Sequence, residues 1–153
     1  MYNMEEIFSL PPLGAFDNNY QMLLEFMDTL GNPKFKIAGD VDLRNTNIES
    51  VGNLVEVEGF LYLDNTNIES LPDNLKVGGY LILYNTKIKS LPDNLHVDGD
   101  FYLGNTKIQS LPDNLHVGGD LYLSNTPLSK KYSKKEIRQM IEDKGGFVSK
   151  IYC

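Results

Sequence analysis

The chain has 153 residues, 41% hydrophobic and 23% charged, a composition typical of one soluble globular domain over residues 1–153. No apolar run approaches the ~20 residues that span a bilayer, no signal peptide opens the chain, and a single cysteine excludes an internal disulfide. We therefore expect a cytoplasmic protein. The net charge of −7 is uneven: residues 40–129 carry thirteen acids against five bases, and residues 130–153 carry seven bases against three acids. The acidic middle disfavours direct nucleic-acid binding and favours a basic partner.

Residues 1–36 predict an N-terminal arm followed by a capping helix. The helix is expected over 17–30, with Asp17 or Asn18 as its N-cap and the sequence Gly31-Asn32-Pro33 ending it. Residues 1–15 are expected either to dock on this helix or to remain mobile. The predicted buried face of the helix consists of Tyr20, Leu23, Leu24, Met27 and Leu30.

A 20-residue repeat fills positions 37–129. The dipeptide Asn-Thr recurs at 45, 65, 85, 105 and 125 without insertion, and two consecutive units read FLYLDNTNIESLPDNLKVGG and YLILYNTKIKSLPDNLHVDG. The alternating segment x-L-x-L-x predicts one short strand per unit with a buried face, while Val57 and its equivalents close the turn. The glycine before each strand indicates a positive φ or a close backbone approach. Because one unit cannot bury its apolar side, the units must stack into a solenoid.

The unit LxLxxTxIxxLPxxLxVxG resembles the leucine-rich-repeat family, in a compact form similar to repeats of bacterial effectors and phage-encoded proteins. The resemblance covers residues 37–129. It implies an α/β solenoid, a short right-handed horseshoe with a parallel sheet on its concave face and helical caps at both ends. Where the family usually buries an asparagine, this chain has threonine, whose hydroxyl can bond the backbone of the bend. The resemblance implies a binding module and is silent about its target.

Residues 130–153 predict a C-terminal cap. Ser133 and Glu136 form a capping-box sequence that opens a helix to residue 144, and residues 147–152 then predict a short final strand. The helix should bury Ile137, Met140 and Ile141. We interpret the bases Lys130, Lys131, Lys134, Lys135 and Arg138 as a solvated helix face, with a phosphate or nucleic-acid contact as the alternative.

The outward positions of the repeated strands predict the functional surface. Large aromatic side chains there have no role in packing the core, and Asp100 and Asp120 should lie side by side at a cost in stability. We predict an aromatic hot spot with an acidic rim that binds a partner protein. The alternative is tyrosine stacking that only shields the sheet. The predicted binding residues are Asp40, Asp42, Phe60, Tyr62, Asp64, Tyr80, Ile82, Tyr84, Asp100, Tyr102, Asp120 and Tyr122.

Other constellations predict no catalytic or metal site. His96 and His116 should be exposed neighbours on the convex side, but two ligands are too few for zinc. The stacked Asp73, Asp93 and Asp113 suit backbone capping in a repeated turn better than calcium. Paired aspartates on a shallow sheet, Asp40 with Asp100 or Asp120, would struggle to exclude water during glycoside hydrolysis. We therefore expect neither an enzyme nor a cofactor.

The favoured hypothesis is a non-catalytic protein-interaction module, monomeric or weakly homo-oligomeric. Its partner should carry exposed Lys or Arg beside apolar surface. By the resemblance alone, it is a phage or bacterial factor that sequesters a host protein, in the host cytoplasm if it is an effector. The alternatives are an acidic nucleic-acid mimic, whose binding would depend strongly on salt, and a carbohydrate-binding protein with tyrosines as sugar platforms.

Overall fold

The computed structural model describes residues 6–153, which form a parallel β-solenoid of about four turns. Each turn carries two short strands separated by bends. A 3-10 helix covers Leu13–Phe16, and three α-helices, α1 to α3, cover Tyr20–Thr29, Pro127–Lys131 and Lys134–Asp143. The strands β1 to β13 are Phe8–Leu10, Phe35–Ile37, Val41–Asp42, Leu54–Val57, Leu61–Tyr62, Lys76–Val77, Leu81–Ile82, His96–Val97, Phe101–Tyr102, His116–Val117, Leu121–Tyr122, Phe147–Val148 and Ile151–Tyr152.

The strands belong to two parallel sheets. The first, here called the aromatic sheet, has the order β3-β5-β7-β9-β11-β13, and the second sheet has the order β1-β2-β4-β6-β8-β10-β12. The 20-residue repeat sets the register, so that Leu61 pairs with Leu81 and Tyr62 with Ile82. The prediction of one strand per unit was incomplete, because Val57, Val77 and their equivalents lie in strands of the second sheet. Two-residue strands are too short to show an alternating pattern of their own.

The core lies between the two sheets and is filled by the repeated aliphatic side chains. Within one coil, Leu61, Leu63, Ile68, Leu75 and Val77 are all fully buried, as the stacking argument predicts. The repeated threonines are buried beside them, and their hydroxyls donate to the carbonyl three residues earlier at 2.7–2.8 Å. The predicted backbone role of these threonines is therefore confirmed. Such a bond contributes about 0.5–1.5 kcal/mol net.

Asparagines, rather than glycines, supply most of the left-handed backbone at the bends. Asn65 and Asn85 both have φ 56°, and the Asn of the Pro-Asp-Asn turn behaves alike, with φ 61° at Asn74. Neighbouring asparagine side chains form a ladder, in which Asn85 Nδ2 donates to Asn65 Oδ1 at 2.7 Å. Among the glycines that precede the strands of the aromatic sheet, only Gly39 has a positive φ, of 74°. The others allow a close approach between coils.

At the N-terminal end, α1 packs on the first coil. Its N-cap is Asn19, whose side chain accepts from Met22 N at 3.1 Å. Asp17 and Asn18 were the predicted caps, but both have φ 55°, and an N-cap needs extended backbone. Of the predicted buried face, Tyr20, Leu23 and Met27 are buried, Leu24 is half-buried and Leu30 is exposed.

The arm before α1 pairs with a strand and also packs against α1 through the 3-10 helix Leu13–Phe16. Strand β1 pairs with β2 at the end of the second sheet, and Leu13 is buried. Residues 1–5 of the predicted arm lie outside the described residues.

Tyr20 ties α1 to the first coil by donating its hydroxyl to Val51 O at 2.7 Å, and burial raises the pKa of this phenol.

At the C-terminal end, α3 begins at the predicted capping box. Glu136 N donates to Ser133 Oγ, and Ser133 N donates to Glu136 Oε1, both at 3.1 Å. Ile137 and Ile141 are buried, while Met140 is half-buried. The predicted single final strand is two strands, β12 and β13, one at the end of each sheet. None of the helices in the described part of the chain is long and apolar enough to cross a membrane.

Candidate functional site

The predicted binding residues share the outer side of the aromatic sheet. The register aligns them in three rows, one along positions 40 to 120, one along 42 to 122 and one along 44 to 124. We call this surface the aromatic face. None of the twelve predicted residues is buried: Asp40, Asp42, Tyr80 and Tyr84 are exposed, and the other eight are half-buried. Their predicted outward orientation is therefore confirmed.

Aromatic rings stack along the rows. Phe60 and Tyr80 lie 4.8 Å apart with their planes at 5°, and Tyr102 and Tyr122 lie 4.4 Å apart at 2°. Stacking stabilises each such pair by about 0.5–1.5 kcal/mol beyond area burial. The alternative hypothesis, that the rings only stack and shield the sheet, therefore explains the stacked pairs Phe60–Tyr80 and Tyr102–Tyr122. Stacked rings cover one another's faces and leave mainly their edges for a ligand.

The first row of rings rests on the glycines of the following coil. A Cβ at Gly79 would lie 1.9 Å from Cδ1 of Phe60, and one at Gly99 would lie 2.4 Å from Cδ1 of Tyr80. Any side chain there would lift the ring off the sheet. These glycines therefore serve the aromatic face as well as the close approach of the coils.

Tyr84 stands apart from the stacked rings and is 48% exposed. A Cβ at Gly104 would lie 3.1 Å from Cδ2 of Tyr84, so its ring lies across the glycine of the next coil. Asn105 Nδ2 donates to the Tyr84 hydroxyl at 3.4 Å, a long bond. Together with Tyr80, which is 39% exposed, Tyr84 has the most accessible ring among the predicted binding residues. Shielding of the sheet does not explain this exposure.

Two of the predicted binding aspartates, Asp40 and Asp100, also form hydrogen bonds that hold neighbouring coils together. Asp40 Oδ1 accepts from Phe60 N at 2.8 Å, and Asp100 Oδ1 accepts from Asp120 N at 2.8 Å. Each carboxylate thus binds a backbone N–H of the next coil. The inference that Asp100 and Asp120 pay a cost without a structural benefit was therefore wrong, because a hydrogen bond joins their coils.

Asp42 is paired with Arg44, which lies two residues later in the turn after β3. Arg44 donates to both of its carboxylate oxygens, from Nε at 2.9 Å and from a terminal nitrogen at 2.7 Å, and this pairing lowers the pKa of Asp42. The Arg44 guanidinium also lies 4.7 Å from the centre of the Tyr62 ring. Because Arg44 neutralises Asp42, the aromatic face carries less negative charge near Asp42 than its count of aspartates indicates. Asp64 differs, since its Oδ1 is buried and has no hydrogen-bond partner among residues 6–153.

The stacked tyrosines have perturbed acidities. Desolvation, followed by the nearby Tyr122 and the charge of Asp100, raises the pKa of Tyr102 to about 12. Desolvation also raises the pKa of Tyr122. Both phenols therefore stay protonated near neutral pH and can donate hydrogen bonds to a partner.

Sequence reasoning missed one member of the aromatic face, Tyr152. Strand β13 extends the sheet beyond the last repeat, with Tyr152 in register with Tyr122 and the rings 4.9 Å apart. The available signal was the sequence Ile-Tyr, which matches the Leu-Tyr of earlier coils. It lies outside the 20-residue spacing because α2 and α3 lengthen the last coil.

The histidines lie on the second sheet, away from the aromatic face. His96 and His116 are in register with ring centres 4.2 Å apart, and they are half-buried rather than exposed. His96 Nε2 is 2.6 Å from Asp98 Oδ1, while burial and the neighbouring His96 lower the pKa of His116. Nowhere in residues 6–153 do three or more histidine, cysteine or acidic side chains form a group that could hold a metal ion. Among the turn aspartates, Asp93 binds the backbone of the next coil rather than that of its own turn, since its Oδ1 accepts from Asp113 N at 2.9 Å.

Comparisons of the chain with protein-family models, with curated proteins and with solved structures found no match.

Proposed function

We propose that this protein is a non-catalytic interaction module that binds a partner protein through the aromatic face. The observation that carries the proposal is the pair Tyr80 and Tyr84, two exposed rings, of which Tyr80 belongs to the aromatic stack and Tyr84 lies beside it. Tyrosine combines apolar area with a polar tip and is enriched among the residues that dominate binding energy at interfaces. The rigid stack reduces the entropy that binding must remove.

The partner expected for this face presents apolar surface with a few Lys or Arg side chains. The aspartates at the border of the rings, together with a net charge of −8 over residues 40–129, favour encounter with such a surface. Asp40 and Asp100 each use one oxygen to hold the next coil, which leaves the other for a partner. We expect the rings to provide most of the affinity and the acids to provide the rate of encounter.

The two alternative functions receive less support from the geometry. A sugar platform needs an accessible ring face, whereas Tyr102 and Tyr122 cover each other. A nucleic-acid mimic needs a row of uncompensated carboxylates, whereas Arg44 neutralises Asp42, and Asp40 and Asp100 are held in place by backbone N–H groups of the next coil. We therefore favour the protein partner over both.

We further propose a leucine-rich-repeat type of solenoid with helical caps. The resemblance of the repeat and the burial of Leu23 and Met27 on α1, and of Ile137 and Ile141 on α3, support this assignment. A role as a phage or bacterial factor that sequesters a host protein follows from the resemblance alone, and a cytoplasmic setting follows from the single cysteine and the absence of a recognisable signal sequence.

The proposal is tested by affinity capture from a lysate of the native host, read by mass spectrometry. The wild type is compared with a Tyr62→Ala, Tyr84→Ala, Tyr102→Ala variant shown by circular dichroism to be folded. A matched control is Phe147→Ala, which removes a 51% exposed ring from the second sheet. A protein retained by the wild type and the control but lost by the triple variant supports the aromatic face, whereas equal capture by all three contradicts it.

A further inference from the structure

A basic groove lies at the C-terminal end of the solenoid, between α3 and β13. It encloses about 360 Å³. Its rim is cationic and its floor is formed by the last strand of the aromatic sheet. The lining residues are Lys134, Lys135, Arg138, Lys150, Ile151 and Tyr152. Lys150 comes from the turn between β12 and β13, so the groove gathers bases from two separate elements.

The cations of the groove lack acidic partners within the described part of the chain. The ion pairs among residues 6–153 join Arg44 to Asp42 and His96 to Asp98, far from the groove in sequence. Arg138 donates to the carbonyls of Val148 and Ser149 at 3.1 and 2.8 Å, which fixes its position and leaves its charge uncompensated. Like charges gathered in this way repel one another, and an anionic occupant would relieve the repulsion.

The floor of the groove is β13, the outermost strand of the aromatic sheet among the described residues. In earlier coils the N–H at this register donates to the next coil, as from Leu81 N to Asp100 O and from Leu121 N to Lys150 O. Ile151 occupies the equivalent position, and no later coil follows among the described residues. Such an edge accepts an extended segment, because main-chain groups can pair along it. Ile151 is only 6% exposed, so a segment must enter through the groove between the lysines.

We propose that the basic groove binds an acidic peptide segment in extended conformation. Its carboxylates contact Lys134, Lys135 and Lys150, and its main chain runs along β13 with an apolar side chain near Ile151. The side chains of a strand alternate, which places acidic residues at every second position of the segment. The groove shares Tyr152 with the aromatic face, but its cations lie outside the predicted partner site, so variants of these cations test the inference separately from the proposed function.

A peptide suits this groove better than a nucleic acid. The groove lining offers one aromatic ring, Tyr152, which stacks on Tyr122 at 4.9 Å and lies 5.9 Å from the Lys134 ammonium, whereas single strands are bound by several successive stacking platforms. A polyphosphate that extends beyond the groove also meets residues 40–129, whose net charge is −8. A short acidic segment avoids both obstacles.

The test measures fluorescence polarisation of a labelled peptide in which Glu alternates with Val. We expect saturable binding that weakens between about 50 and about 300 mM salt, because the lysines are exposed and therefore screened. Lys134→Gln with Lys150→Gln should weaken binding roughly tenfold, about 1.4 kcal/mol. The control, Lys130→Gln with Lys131→Gln, removes the same charge from α2 outside the groove and should change binding less than about twofold.

Several results would overturn the inference. They are an equal loss in the two double variants, equally tight binding of a peptide with Gln in place of Glu, and tighter binding of a single-stranded oligonucleotide than of the acidic peptide. Sedimentation showing that a second copy of this chain fills the groove would also overturn it. Unchanged melting temperatures verify that both double variants are folded. Failure here leaves capture through the aromatic face unaffected.

Discussion

Replacing Gly99 by alanine should disturb the fold and the aromatic face together. The new Cβ would lie 2.4 Å from Cδ1 of Tyr80 and 2.9 Å from the carbonyl oxygen of Gly79. Carbon atoms normally pack at about 3.5–4.0 Å, so the ring must move by roughly 1 Å and the two coils must separate. Overpacking of this kind costs about 1–3 kcal/mol, and contacts with both ring and backbone place Gly99→Ala in the upper half of that range.

The assay combines thermal unfolding with near-ultraviolet circular dichroism. For a chain of this size, a loss of about 2–3 kcal/mol lowers the melting temperature by about 4–12 °C. The chain has no tryptophan, so its near-ultraviolet spectrum comes largely from tyrosines and should change when the Tyr80 ring is displaced. The control is Gly14→Ala, where the nearest atom, Asn18 Oδ1, is 3.9 Å away. We expect it to leave stability unchanged or to raise it by about 0.4–1 kcal/mol. Wild-type stability and an unchanged spectrum for Gly99→Ala would refute the close packing of the coils described above.

Three further predictions concern the repeated polar residues. Thr86→Val removes the donor to Leu83 O and should cost about 1–2 kcal/mol in urea unfolding, whereas an unchanged midpoint would mean that the threonine ladder is dispensable. Asn85→Ala should cost about 1–2 kcal/mol more than Asn85→Gly, since both lose the ladder bond but only alanine is strained at φ 56°; equal losses would contradict this. Because burial lowers the pKa of His116, the folded state favours its neutral form, and stability should fall as the pH drops through the unfolded value of 6.5. Urea midpoints between about pH 8 and pH 5 should fall less steeply in His116→Asn, and identical slopes would rule out this histidine as the source.

The period of the sequence predicts much of this fold. A spacing of 20 residues without insertion fixes which side chains meet between coils, so the inward leucines and the outward tyrosines follow from position alone. The buried threonines follow as well, because a hydroxyl beside a tight bend finds a carbonyl to bond. The same register accounts for the three rows of the aromatic face.

Other features depend on local geometry that the repeat does not encode. The strands of the second sheet contain only two to four residues, too few for a periodic signal. The positive φ values belong to asparagines that also suit ordinary loops, and the sequence motif pointed instead to the glycines. The sequence does not show that Asp100 accepts a hydrogen bond from the backbone of the next coil, because no residue type or spacing signals a side-chain to backbone bond of this kind. Tyr152 escaped notice because two helices interrupt the spacing before it.

The most direct test of the central claim is the affinity of the captured partner for two single variants, measured by isothermal titration calorimetry. Tyr84→Ala and Phe147→Ala remove rings of similar exposure, 48% and 51%, from the aromatic sheet and the second sheet respectively. An aromatic hot spot predicts that Tyr84→Ala weakens binding by about 2 kcal/mol, or roughly thirtyfold, while Phe147→Ala leaves the Kd within about twofold of the wild type. An unchanged Kd for Tyr84→Ala, with a large loss for Phe147→Ala, would place the interface on the second sheet and contradict the proposed function.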